Sequence, residues 1–282
     1  MKRRNSLLRS TLLALPVGAA SIAVGFLAYN SFHPKSEQAL DGFAIPTSDD
    51  TTQGRWPEVQ FLSDSGIAPL SEAELAACKQ KLPKTVEKEA LAHPDNFGQR
   101  DPKDAIGRDI PHQPALIVLH ETVISSPATI DLFQTPHPND NDQSSYHVLI
   151  NKSGESIRIV PDENRAYGSG YSRFGDFTIH SKSPNNFSIN NVALHISLET
   201  PLDGRGDESA HSGYTGRQYD SLARQVLLWQ AKYGIPIFRV TTHAWADRSH
   251  SRYDPRSFRW DLFDKYHREY ATTCGLKKLT LI

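Results

Sequence analysis

The sequence predicts an α/β domain, a mixed central β-sheet flanked by helices over residues 110 to 270, and three patterns carry that expectation. PALIVLH (114 to 120) is a continuous apolar run ending on a polar residue, which suits a strand buried on both faces of a sheet. SYHVLINKSGESIRIVP (145 to 161) reads as two strands joined by the turn Lys152-Ser153-Gly154-Glu155, a hairpin signal. Between Gly216 and Gly234, the residues Tyr219, Leu222, Val226, Trp229 and Tyr233 recur every three or four positions, the period of an amphipathic helix. Strands and helices in alternation, with at least one antiparallel pair, point to a layered domain with one mixed sheet.

From the N-terminus onward, MKRRNSLLR is followed by a stretch without a charged side chain up to Lys35. Such a run is long enough for a bilayer core that needs about 20 helical residues. The basic cluster on its N-terminal side leaves the N-terminus in the cytoplasm and sends the rest outward. Residues 1 to 34 therefore read as a signal peptide or a membrane anchor, with residues 10 to 32 as the membrane segment. Residues 35 to 109 are polar and rich in proline, an irregular linker holding one helix. Ser71 and Glu74 form a capping-box pattern ahead of Leu75, Cys78 and Leu82.

Within the domain, NVALHISLET (191 to 200) alternates Val192, Leu194, Ile196 and Leu198 with Ala193, His195, Ser197 and Glu199, which predicts a strand. Gly234 and Pro236 end the long helix. PIFRVTTH (236 to 243) predicts another strand that ends on a histidine, and Asp254-Pro255 a last helix through Trp260, Phe263 and Tyr266. A C-terminal tail, 271 to 282, follows.

With 282 residues, 38% of them hydrophobic, the chain supports a sizeable core. Its 31 Lys+Arg nearly balance 32 Asp+Glu, but the first 34 residues hold four of the cations and no acid. The remainder has 27 against 32, a formal −5, which gives no electrostatic reason to bind nucleic acid. Two cysteines exclude a disulfide scaffold and a thiolate zinc module. Beyond a membrane they face an oxidising compartment, where Cys78 and Cys274 either pair or stand as two buried thiols.

Of the 12 histidines, His33, His93, His112, His137, His180, His211 and His267 sit in polar or proline-rich surroundings and read as surface residues. His120 and His243 each close a strand-like run, where a sheet fixes ligand geometry. Asp254 lies eleven positions beyond His243. Two imidazoles and a carboxylate make a zinc set with a fourth position for water. Taken singly, each histidine is more often a strand-end residue bonded to backbone. GxSxG, GxxxxGK[ST] and GxGxxG are absent, so the commonest Ser-hydrolase, phosphate-loop and dinucleotide signatures do not apply.

The segments LIVLHET, SSYHVLINKSGESIRIVPDENRAYGSG, NNVALHISLE, GRQYDSLARQVLLWQAKYGIP and THAWADRSHSRYDP, in this order over about residues 110 to 265, resemble the type 2 N-acetylmuramoyl-L-alanine amidases, the superfamily of zinc amidases and peptidoglycan recognition proteins. The resemblance implies a mixed sheet flanked by helices, and zinc held by His120, His243 and Asp254. It further implies that Arg252 stands where relatives stabilise the oxyanion and that Tyr146 lies beside the metal. The general base of many bacterial members falls on Ser197. Either Glu199, two residues on and about 7 Å further along the same face, takes the role, or Tyr146 with Arg252 suffices; Glu121 points to the opposite face. Gly168 stands where relatives often carry a histidine.

The implied activity is zinc-dependent hydrolysis of the amide between the lactyl group of N-acetylmuramic acid and L-alanine, in peptidoglycan or muropeptides outside the cytoplasm. The inner membrane is the expected partner of the N-terminal segment. A catalytically silent peptidoglycan-binding module and a zinc peptidase of another specificity are the competing functions.

Overall fold

The structure, a computed structural model, describes residues 67 to 175, 177 to 182 and 185 to 280. The expected signal or anchor segment lies outside these residues, as does the first part of the expected linker. Among the described residues no helix is long and apolar enough to cross a membrane.

Helix α1, Glu72–Lys81, starts at the capping box: the Glu74 N–H donates to Ser71 Oγ at 3.3 Å, and the Ser71 N–H donates to the Glu74 carboxylate at 2.9 Å. Its buried Cys78 is bonded to Cys274. The stretch read as irregular then supplies two short strands, β1 (Lys88–Glu89) and β2 (Phe97–Gln99). They are two and three residues long, and neither has an apolar alternation to announce it.

The remaining strands are β3 (Leu116–Glu121), β4 (Val148–Ile150), β5 (Ser156–Arg158), β6 (Asn164–Ala166), β7 (Ala193–Leu198) and β8 (Val240–Thr242). Six of the strands form the mixed central sheet, in the order β1-β5-β4-β7-β3-β8. The β4–β5 hairpin is antiparallel and the other pairs of this sheet are parallel, while β2 and β6 form a small antiparallel pair beside it.

Every residue of β3 and β7 is buried, as expected of parallel strands with both faces covered. One face presents Ile117, Leu119, Leu194, Ile196 and Leu198 to the helices α3 (Gly216–Tyr233) and α5 (Trp260–Thr273). The other presents Leu116, Val118 and Ala193 to Phe177, Ile179 and Ile189, and Leu149 and Ile157 to Phe133 of helix α2 (Ser126–Gln134). The polar half of the 191 to 200 alternation is thus enclosed too: Ala193, His195 and Ser197 have no exposed surface.

Helix α3 is set at both ends. Thr215 and Gln218 make a second capping box, and Gly234 closes the helix at φ +68°. A Cβ on Gly234 would also stand 1.9 Å from the Ile67 carbonyl, so both backbone conformation and close approach demand glycine there.

Two expected elements differ. The strand expected over 236 to 243 is a 3₁₀ turn, Ile237–Arg239, followed by the three residues of β8, and His243 begins the short helix α4 (His243–Ala246). The Thr242 hydroxyl accepts the Trp245 N–H at 3.3 Å and turns the chain out of the sheet. Asp254 does not open the last helix; it lies in the loop before α5, which starts at Trp260, and its bond to Pro255 is cis.

Candidate active site

His120 sits at the C-terminal end of β3 with no exposed surface. Because β8 runs parallel beside β3, with Leu119 opposite Thr242, the next residue His243 comes alongside His120, and their rings are 4.6 Å apart. The Asp254 carbonyl accepts the Ala244 N–H at 3.0 Å, which draws the loop onto α4. Its carboxylate then lies between the two imidazoles: Oδ1 is 2.9 Å from His243 Nδ1 and Oδ2 is 3.2 Å from His120 Nδ1.

The three potential ligand atoms lie within 4.8 Å of one another. Burial pushes the His120 imidazole down to about 4, against the pull of Asp254. Burial alone would raise the Asp254 carboxyl, but the two histidines hold it far below the usual carboxylate range. Near neutrality the group therefore holds a neutral His120 imidazole beside a carboxylate, with His243 Nδ1 on the other carboxylate oxygen. Two imidazoles and a carboxylate are a donor set that suits a divalent metal and leaves room for a non-protein ligand.

Tyr146 stacks on His120 with ring centroids 4.6 Å apart and an interplanar angle of 28°, and Phe133 of α2 meets its ring edge-on at 5.3 Å. Burial, aided by Asp254, raises the Tyr146 hydroxyl above its ordinary value, so it stays a neutral phenol. Arg252 is exposed at the rim. Its N–H donates to Asp247 at 3.0 Å, and its charge is felt by both His120 and Tyr146.

The parallel register puts Ser197 opposite His120, with its hydroxyl buried and without a partner among the described residues. Glu199 follows beyond the end of β7. Its carboxylate accepts from Ser126 Oγ at 2.8 Å, from the Lys152 N–H at 3.1 Å and from Arg205 at 3.1 Å. Glu121 points to the opposite face, as the strand alternation requires. There it accepts from Arg256 at 2.5 Å and Tyr214 at 2.7 Å, and His211 Nε2 lies 3.0 Å from it.

Four histidines play parts that the sequence did not disclose. The side chain of His211 is fully buried against Glu121, and His267, 1% exposed, lies 2.5 Å from Gln230 Oε1, so neither is a surface residue. His195 and His147 lie beneath the ligand group. His195 Nδ1 is 2.9 Å from His120 Nε2, and His147 Nδ1 accepts the His195 backbone N–H at 2.9 Å. Burial lowers both imidazoles, that of His147 to about 3. The signal that could have found His195 was its place in the same alternating set as Ser197, read against a paired strand ending at His120.

Over residues 111 to 257, more than half of the chain, the sequence matches a family model described as N-acetylmuramoyl-L-alanine amidase. The chain belongs to this family. It is thereby an amidase, a hydrolase whose substrate is peptidoglycan, with the α/β fold of a mixed sheet between helices. No curated protein matches the chain.

Among solved structures it is similar to a Se-Met AmpD derivative, at 23% identity over 64% of this chain and 93% of that one, with TM-score 0.45. It is also similar to Citrobacter freundii AmpD, at 22% over 64% and 89%, TM-score 0.39. Staphylococcus aureus hydrolase AmiA in complex with its ligand is 15% identical over 76% and 98%, TM-score 0.45.

Proposed function

We propose that this amidase is zinc-dependent and hydrolyses the amide between the lactyl group of N-acetylmuramic acid and L-alanine, in peptidoglycan or its muropeptide fragments, outside the cytoplasm. The observation that carries the reading is the buried His120, His243 and Asp254 set, with one carboxylate oxygen on each imidazole. When bound there, zinc supplies Lewis-acid polarisation of the scissile carbonyl and a water acidified towards ~7.

His120, His243 and Asp254 hold the cation. The Arg252 guanidinium offers donors and positive charge to the oxygen that becomes negative as the carbonyl is attacked. The neutral Tyr146 phenol, stacked on His120, orients the attacking water through Oη and passes a proton towards the leaving amine. Glu199 is the other candidate for that proton, but its oxygens already receive three donors. An N-terminal segment at residues 10 to 32 that crosses or is exported through the inner membrane would deliver the domain to the wall, and the Cys78–Cys274 bridge suits the oxidising compartment beyond it.

The test is incubation of the metal-loaded protein with muropeptides and with intact sacculi, followed by mass spectrometry. Release of stem peptide with a free L-alanine amine is expected from at least one of the two. Binding without release would make the protein a silent recognition module and overturn the assignment. Asp254→Asn keeps the side-chain volume and removes the charge. It is expected to weaken zinc binding by more than the roughly 10–100-fold that loss of an outer hydrogen-bond partner costs, and to abolish release. Activity retained at stoichiometric zinc would refute the ligand set.

A further inference from the structure

The metal-ligand group rests on a second histidine layer that the proposed chemistry does not use. Both ring nitrogens of His120 are committed: Nδ1 faces Asp254 Oδ2 at 3.2 Å, within the ligand group, and Nε2 faces His195 Nδ1 at 2.9 Å. A neutral imidazole that offers the lone pair of Nδ1 to a cation carries its proton on Nε2. That N–H is then a donor, so His195 Nδ1 accepts it and the proton of His195 sits on its own Nε2. His195 Nε2 is buried and finds no partner among the described residues. A native interior leaves few donors unpaired, so a ring held in that state needs a reason.

The surroundings of His195 are shaped around its ring. His147 lies nearly parallel to it, centroids 5.9 Å apart at 14°, and is itself fixed by the His195 N–H on Nδ1 and by the Asn164 carbonyl 3.2 Å from Nε2. On another side comes Gly168, where an added Cβ would stand 2.4 Å from His195 Cγ and 2.5 Å from Nδ1. Only glycine at position 168 leaves room for the imidazole. The β3–β7 register completes the frame, because Val118 opposite His195 and His120 opposite Ser197 put both histidines on one face of adjacent strands.

We propose that His195 is a positioning residue for the metal centre: it takes the Nε2–H of His120, fixes the tautomer and ring angle that present Nδ1 to the cation, and is itself seated by Gly168 and His147. The proposal rests on the metal-binding reading above. A metal-ligating histidine usually hands its second N–H to a carboxylate, a backbone carbonyl or water. Here the acceptor is another imidazole, so a neutral ring holds the ligand without adding negative charge to the site.

The test uses zinc affinity, measured on the full chain by competition with a chromophoric chelator, and a pair of variants of equal size. His195→Asn places an amide oxygen where Nδ1 was and is expected to stay within about threefold of the wild-type Kd. His195→Leu removes the acceptor and is expected to raise Kd by roughly 10–100-fold. Equal Kd values for the two folded variants would overturn the proposal.

If the leucine variant does not fold, ring-nitrogen chemical shifts of the zinc-loaded wild type decide the matter without a substitution. The proton is expected on Nε2 of both His120 and His195, and a proton on His195 Nδ1 would overturn the assignment. Failure of the wild type to bind zinc at all would instead remove the metal reading itself, so the two failures are told apart by the wild-type titration.

Discussion

Asp254 shows how much of this site is decided by single side chains. Burial would make its carboxyl hard to ionise, yet the imidazoles of His120 and His243 hold it charged, and the one carboxylate orients both rings. The same closeness separates the two candidates for proton transfer. Tyr146 lies against His120, whereas Glu199 is tied to Ser126, Lys152 and Arg205. Tyr146→Phe is therefore expected to lower kcat by about 10²-fold, and Glu199→Gln to lower the unfolding midpoint more than kcat. The reverse order in steady-state kinetics and melting curves would move the role to Glu199.

His147 adds a pH dependence of stability. Its folded-state value is pushed by burial down to about 3 from an ordinary 6.5, so the unfolded chain binds more protons between those values. Stability is full above pH 6.5 and is lost as pH falls towards 3, by up to about 1.4 kcal/mol per unit within the window. In chelator-treated protein the urea midpoint should fall clearly between pH 7 and pH 4.5, and an unchanged midpoint would contradict the burial of an uncharged ring.

At the scale of elements, the site is made by register. Parallel pairing of β3 with β7 and β8 brings His120, Ser197 and His243 to one edge, and the cap at Thr242 turns His243 out of the sheet towards Asp254. The long elements were legible in the sequence because their patterns are long: the apolar run of β3, the hairpin around Gly154 and the periodic face of α3 between Thr215 and Gly234. The short ones were not. β1 and β2 are held by pairing with β5 and β6 rather than by any pattern of their own, and β8 is a three-residue strand inside an eight-residue run that reads as one strand.

Nor was the pairing of strands legible, and with it the place of His195, since adjacency of β7 and β3 is a tertiary fact that no local period encodes. His120, His243 and Asp254 could be singled out together from the sequence because strand ends marked the two histidines and a resemblance pointed to all three. The buried fates of His211 and His267 could not, because polar neighbours in sequence say nothing of partners 90 and 37 positions away. The central strand also sets the mechanical floor of the site. Leu194 is fully buried beneath α3 and beside His195, so Leu194→Ala is expected to cost about 2–5 kcal/mol in chemical denaturation. A loss under 1 kcal/mol would mean that α3 collapses onto the gap.

Over the whole molecule, the two sides of the sheet have separate tasks. One side carries His120, His195, Ser197 and Tyr146. The other carries the large apolar cluster of α3 and α5, and that cluster includes Cys78 and Leu82, with Cys274 packed against it. The Cys78–Cys274 bridge spans 196 positions and clamps α1 to the end of α5, while the Ile67 and Leu70 N–H groups donate to the Gly234 and Ala231 carbonyls beside it.

A crosslink over so long a segment limits the unfolded chain far more than it shapes the catalytic face. Replacing both cysteines by serine is therefore expected to lower stability by about 2–5 kcal/mol while leaving the zinc Kd and kcat of the folded protein unchanged. Denaturation, chelator competition and muropeptide assays on the same preparation check it. A shift in zinc affinity would show that the two faces of the sheet are coupled.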